Sequence, residues 1–166
     1  MSTMALRETA LYPFHKELGA KFAPFAGYQM PIQYSGIIDE HQAVRNAAGL
    51  FDVSHMGVAT VKGPQAFEFL QHALTRDLSK TVPGKAAYSL LCQPDGGTVD
   101  DLIAYRDGPE SFWLVLNASN KEKDMAHLRS LTGKFQVELQ GPLENMSLLA
   151  LQGPAANEIL QKLGLK

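Results

Sequence analysis

The stretch VKGPQAFEFLQHAL, Val61–Leu74, returns near the end of the chain as LQGPAANEILQKLG, Leu151–Gly164. In both, a run with strand character meets Gly-Pro, and the same residue types then recur at matched offsets. Gly63 aligns with Gly153, Pro64 with Pro154, Ala66 with Ala156, Glu68 with Glu158, Leu70 with Leu160 and Gln71 with Gln161. Gly-Pro suits a strand-to-helix junction: glycine reaches backbone angles closed to other residues, and proline at a helix start gives up an N–H that has no partner there. A repeated junction implies a fold of two similar halves. The first copy runs on through a hairpin, a further strand and a helix. The second stops at Lys166, in or just after its first helix, so the reading expects a truncated chain whose second half lacks partner strands.

The segments around the echo supply the other elements. GVATVKG alternates as a strand, and AYSLLC and LIAY flank the turn Pro94-Asp95-Gly96-Gly97 as an antiparallel pair. FWLVLNA, FQVELQG and MSLLALQG read as further strands. PQAFEFLQHAL reads as a helix with Pro64 at its first position and Phe67, Leu70 and Leu74 on one stripe. IIDEHQAVRNAAGLF reads as another, with Ile37, Val44 and Ala48 near helical spacing and Gly49 as a C-cap. Ser119–Glu122 has the capping-box pattern, opening a helix with Met125, Leu128 and Leu131 inward. Residues 5–18 hold a short element around Leu11 and Leu18, and the proline-interrupted FAPFAGYQMPIQY reads as a packed loop with one short strand at most.

The expected class is α+β: antiparallel sheets with packed helices, in two similar halves, the second truncated. Residues 1–52 are assigned to the incomplete half, 53–139 to the complete half and 140–166 to the start of the truncated one. The complete sheet should hold 57–62, 86–92, 99–105 and 112–117. Leu148, Ala150, Ile159 and Leu163 should lack partners, so that the chain self-associates through the truncated half.

The 166 residues are 45% hydrophobic and 19% charged, with a net charge of -2. That balance gives no electrostatic footing on nucleic acid or an anionic membrane, and no apolar run is long enough to span a bilayer. Cys92 is the only cysteine, so no internal disulfide forms, which suits a reducing compartment. MSTMALRETALYPFH has no apolar signal core, and it carries Glu8 and a single arginine, against a transit peptide; the cytoplasm is expected, or the mitochondrial matrix for a processed eukaryotic protein. There is no P-loop, no Rossmann spacing around GGTVDD and no G-x-S-x-G. The histidines show no metal-ligand pattern, so no metal is expected. Asp52, Ser54 and His55 are neighbours in FDVSHMG, but a triad assembles in space; His55 reads as a structural histidine near a strand start.

CQPDGGTVDDLIAY, Cys92–Tyr105, places two acids in succession at the head of a strand, where aspartate is depleted. Period two puts Asp101, Ile103 and Tyr105 on one face and Asp100, Leu102 and Ala104 on the other. From these residues alone, both acids read as solvated charges beside a turn; alternation then sends Asp100 to solvent and Asp101 to the layer that holds Tyr105.

Taken together, ALYPFH, AGYQMPIQY, EHQAVRNAAGLFDVSHMG, GKAAYSLLCQPDGGTVDDLIAY, LNASNKEKD and ALQGPAA run in order over nearly the whole chain. They resemble the N-terminal part of the aminomethyltransferase (T-protein) of the glycine cleavage system. FDVSHMG and GG-x-x-DDL are specific to that folate-binding superfamily, whose chains are about twice this length. The resemblance implies transfer of an aminomethyl group from the dihydrolipoyl arm of the lipoylated H-protein to tetrahydrofolate, with ammonia released and 5,10-methylenetetrahydrofolate formed. It implies a folate site at Met56, Tyr88, Asp101, Tyr105 and Asn117, with Asp101 as the catalytic acid and no metal. The family's later contacts fall beyond Lys166, so weak or no folate binding by this chain is expected. Alternatives on the same fold are a folate-dependent demethylase and a folate-binding iron–sulfur maintenance protein; a non-binding structural fragment is a third.

Overall fold

A computed structural model of the chain describes residues 5–165. They divide into two compact units: one takes the chain up to His55 together with Ser147 onward, and the other spans Met56–Met146.

The first unit opens with α1 (Tyr12–Glu17) and a hairpin of β1 (Lys21–Phe25) and β2 (Tyr28–Gln33). It continues with α2 (Ile37–Asn46) and β3 (Gly49–Asp52). The second unit holds β4 (Gly57–Lys62), α3 (Ala66–Ala73), β5 (Lys85–Cys92), β6 (Thr98–Arg106), β7 (Ser111–Leu116), α4 (Lys121–Leu131) and β8 (Glu138–Gln140). The chain then returns to the first unit with β9 (Leu149–Gln152) and α5 (Ala156–Lys162).

In the second unit all pairings are antiparallel, in the order β5-β6-β7-β4-β8. Alternation sorts the side chains: Leu102 and Ala104 of β6 and Phe112, Leu114 and Leu116 of β7 are buried. They meet Phe69 and Leu70 of α3 and Met125 and Leu128 of α4 in one core. The stripe of α3 is set by Ala66, Phe69, Leu70 and Ala73 rather than by Phe67, which is only partly buried against that core. Pro64 precedes the helix, whose N-cap is Gln65. Asn120 caps α4 without a side-chain hydrogen bond, so the expected capping box does not form.

The first unit contains two-stranded sheets, β1-β2 and β3-β9. FAPFAGYQMPIQY forms a hairpin rather than a loop, turning at Ala26 (φ 48°) and Gly27 (φ 80°). Pro24 and Pro31 are tolerated because in a ribbon of two strands each strand has an outer edge where no N–H is needed. Gly49 is the first residue of β3 and no C-cap. It must be glycine for another reason: a Cβ there would lie 2.4 Å from Val44 Cγ2. No residue of α2 or α5 is fully buried. Leu163 is exposed as expected, whereas Leu148, Ala150 and Ile159 are half-buried and Leu149 is exposed instead.

The sequence echo is a structural one. In each unit a strand ends at Gly-Pro and a helix starts at the matched alanine, with Ala66 N donating to Gly63 O (3.0 Å) and Ala156 N to Gly153 O (3.1 Å). Each junction also docks on the segment before a short strand. Gln65 N donates to Gln136 O ahead of β8, and Ala155 N to Ala47 O ahead of β3. β8 pairs with β4 as β3 pairs with β9, both antiparallel. The α+β class in two similar halves follows, with the second half carrying only two short sheets.

Candidate functional site

The pairing register draws the conspicuous acids to one end of the large sheet. Leu90 of β5 faces Asp101 of β6, and Leu102 faces Leu116 of β7, so Asn117 lies beside Asp101 just past the strand end. Gly57 of β4 faces Leu116, which carries Met56 into the same row. Tyr88 pairs with Ile103 and Ala86 with Tyr105. Asp101, Tyr88 and Tyr105 thus share one sheet face, and it is the open one: Tyr88 is 62% exposed and Tyr105 44%.

Asp101 is held in place. The Asn117 amide nitrogen donates to Asp101 Oδ1 (3.2 Å) and to the Asp101 carbonyl (3.1 Å). The Tyr88 hydroxyl lies near the same carboxylate; desolvation, then the Asp101 charge, raise the Tyr88 pKa, keeping that hydroxyl protonated. The structure therefore brings Asp101, Asn117 and Tyr88 into contact. Tyr105 stands four residues from Asp101 on the same strand, about 13 Å at a strand's rise. Met56 is half-buried at the row's end.

Asp100 corrects the solvated reading. Alternation does separate the two acids, but Asp100 shares the buried face with Leu102 and Ala104 and is 9% exposed. Its Oδ1 accepts from the same Asn117 amide (3.3 Å). Burial pushes the Asp100 carboxyl up, but hydrogen bonds from Asp124, the Asp101 backbone, Asn120 and Asn117 outweigh it and leave the pKa below the ordinary value. Asp124, on α4, is fully buried. Burial first, then the hydrogen bond and charge of Asp100, push its pKa up to about 7. Sequence reasoning missed Asp124 and Asn120. The available signal was an acid on the apolar arc of a helix, next to Met125 and one turn before Leu128.

A second polar cluster lies within the first unit. His15 Nε2 meets Asp52 Oδ2 at 2.9 Å, and the Tyr34 hydroxyl meets His15 Nδ1 at 2.8 Å. Asp52 Oδ1 accepts from Ser54 N (3.0 Å). Asp52 thus pairs with His15, while His55 packs edge-on against the rings of Phe25 and Tyr28. Phe25, Ile32, Ile37, Leu50, Phe51 and His55 border a largely apolar cavity of ≈ 790 Å³ in this unit. Among the described residues no group of acids, histidines and cysteine is arranged to hold a metal ion, and no helix is long and apolar enough to cross a membrane.

Comparison with known proteins agrees with this architecture. Residues 11–165 match the family described as the GCVT N-terminal domain. An aminomethyltransferase of Chlorobium chlorochromatii is 55% identical over 159 residues, covering 95% of this chain and 43% of that protein. One from Rubrobacter xylanophilus is 54% identical over 156 residues, covering 94% and 42%. The crystal structure of the glycine cleavage system aminomethyltransferase T from Bartonella henselae superimposes with a TM-score of 0.86 at 40% identity, covering 97% of this chain and 44% of that one. The chain spans less than half the length of these relatives. With its repeated Gly-Pro junction, its antiparallel sheet and this likeness along almost its entire length, the chain belongs to the GCVT N-terminal domain family.

Proposed function

We propose that this chain carries the folate-facing acid of an aminomethyltransferase. The observation that supports it most is the Asp101 carboxylate on an open, tyrosine-bearing sheet face, oriented by the Asn117 amide. In the proposed reaction an aminomethyl group rides on a sulfur of the dihydrolipoyl arm of H-protein. The methylene carbon gives up its C–N and C–S bonds and forms two C–N bonds, to N5 and N10 of tetrahydrofolate. The two folate N–H protons end on ammonia and on the dihydrolipoyl thiol, and 5,10-methylenetetrahydrofolate results. Positive charge develops on the transferring carbon and the pterin nitrogens. A carboxylate beside them stabilises that charge and accepts a folate N–H bond, an effect worth about several kcal/mol where water is excluded. Tyr88 and Tyr105 offer flat faces to the pterin, Met56 a deformable contact, and Asn117, whose nitrogen is taken up by the acids, its amide oxygen as a fixed acceptor. Folate and the lipoylated arm are the partners in this reading, and the cytoplasm or mitochondrial matrix is its setting.

The test is transfer from aminomethylated H-protein to tetrahydrofolate, read as ammonia and methylenetetrahydrofolate, in the polypeptide extended to the length of its relatives. Asp101→Asn should abolish most of the turnover; normal turnover in that variant overturns the reading. Turnover on an N-methylated amine without H-protein would favour a demethylase instead.

A further inference from the structure

We infer that Asp124 is a positioning residue: through Asp100 it fixes the Asn117 amide, and through that amide the Asp101 carboxylate. The inference deepens the proposed function and rests on its placing folate against Asp101.

Asp124 sits on the inner side of α4 among Met125 and Leu128, with none of its surface exposed. Neither of its oxygens, nor Asp100 Oδ2, meets an N–H or hydroxyl donor. Two buried anions in this position would be strongly disfavoured. A shared proton resolves it: a neutral Asp124 donates to an anionic Asp100, which satisfies two of the three orphaned oxygens and leaves the third as the carbonyl oxygen of a neutral acid. The pKa directions agree, with Asp124 raised and Asp100 lowered. The charges that act on Asp124 are Asp100 and Asp101 from β6, which favour the proton, and Lys123 from its own helix, which opposes it.

An anionic Asp100 has a consequence for Asn117. The carboxamide could present either its oxygen or its nitrogen to the acids. With Asp100 Oδ1, Asp101 Oδ1 and the Asp101 carbonyl all converging on one end, only the nitrogen is tolerated there. Asp100 is the acceptor that holds the amide from the buried side of the sheet, alongside the two Asp101 oxygens, and the amide so held steadies the direction of Asp101. Ionising Asp124 sets two anions against each other, and Asn117 loses its hold on the buried side, keeping only its bonds to Asp101.

The experiment uses the isotopically labelled chain of residues 1–166 as wild type, Asp124→Asn and Asp124→Leu. The Asn117 side-chain amide and the Asp101 carboxyl carbon are followed by NMR from about pH 5 to about pH 9. Binding of 5-formyltetrahydrofolate is measured alongside, with the same variants carried in the polypeptide extended to the length of its relatives. In the wild type both signals should show an inflection near the Asp124 pKa, about 7. Asp124→Asn, which keeps a donor but cannot ionise, should remove that inflection and hold folate affinity within about threefold. Asp124→Leu, which keeps bulk but no donor, should speed Asn117 amide exchange and weaken folate about tenfold. Flat Asn117 and Asp101 signals through that pH range in the wild type overturn the inference, as does an Asp124→Leu chain with unaltered amide exchange. If Asp124→Leu fails to fold, the Asp124→Asn titration decides alone. A wild type that shows the coupled inflection yet binds no folate leaves the positioning intact and overturns the folate reading instead.

Discussion

A carboxylate on an open strand face has no direction of its own, and the hydrogen bond from Asn117 gives Asp101 one, with the Tyr88 hydroxyl nearby. Asp101→Asn keeps the shape and deletes the charge, so under the proposed function aminomethyl transfer by the extended polypeptide should fall by about 10²-fold or more in the H-protein assay. Asp100→Leu acts differently. It leaves the buried Asp124 acid without its partner and removes one acceptor of the Asn117 amide, and should lower stability by about 2–3 kcal/mol in urea denaturation. Asp124 makes stability depend on pH with a definite sign. Its folded pKa is raised from 3.8 to about 7, so between those values the folded chain holds a proton that the unfolded chain has released. Unfolding free energy therefore falls as pH rises through that window and levels off above it. Asp124→Asn should flatten this slope and leave the variant more stable than wild type above neutral pH, as checked by denaturant midpoints across the range. The separation of the two acids was legible in the period-two pattern. Which face was buried was not, because that depends on where α3 and α4 lie.

At the scale of the element, the Gly-Pro junction is the unit that repeats. Gly63 has φ 127° and Gly153 φ 111°. A Cβ would meet Gln136 O at 2.7 Å in the first case and Ala47 O at 2.5 Å in the second. Either Gly→Ala change should therefore cost about 1–3 kcal/mol of backbone strain, with steric overlap in addition. Gly96 is the control: its φ is 88° but a Cβ there meets nothing within 4 Å. Gly96→Ala should cost the backbone strain alone, about 1–3 kcal/mol, and so less than either junction variant. Thermal melts of the three variants check the ordering. This junction could be read in the sequence because its demands are local. The β1-β2 hairpin could not, since its prolines argue against a strand until each is known to sit at an outer edge.

Across the whole molecule the apolar surface is uneven. Fully buried core side chains concentrate in the second unit, while the first exposes Ile32, Ile37, Ile38, Leu50, Phe51 and Leu149. Its two-stranded sheets also carry unpaired edges. Such surface drives association, so sedimentation should show self-association that rises with concentration. Phe51→Lys on β3 should shift the distribution toward monomer; a monomer at all concentrations in the unaltered chain would count against this. Sequence alone determined the α+β class, the two-half plan and most of the strands, because alternation, Gly-Pro punctuation and the family motifs are carried by neighbours along the chain. Tertiary structure decided that Asp100 is buried, that Asp124 shares its site and that Asp52 binds His15 rather than His55. Those contacts join residues from different elements. Their energies depend on the dielectric that packing creates around them, and no local pattern encodes that.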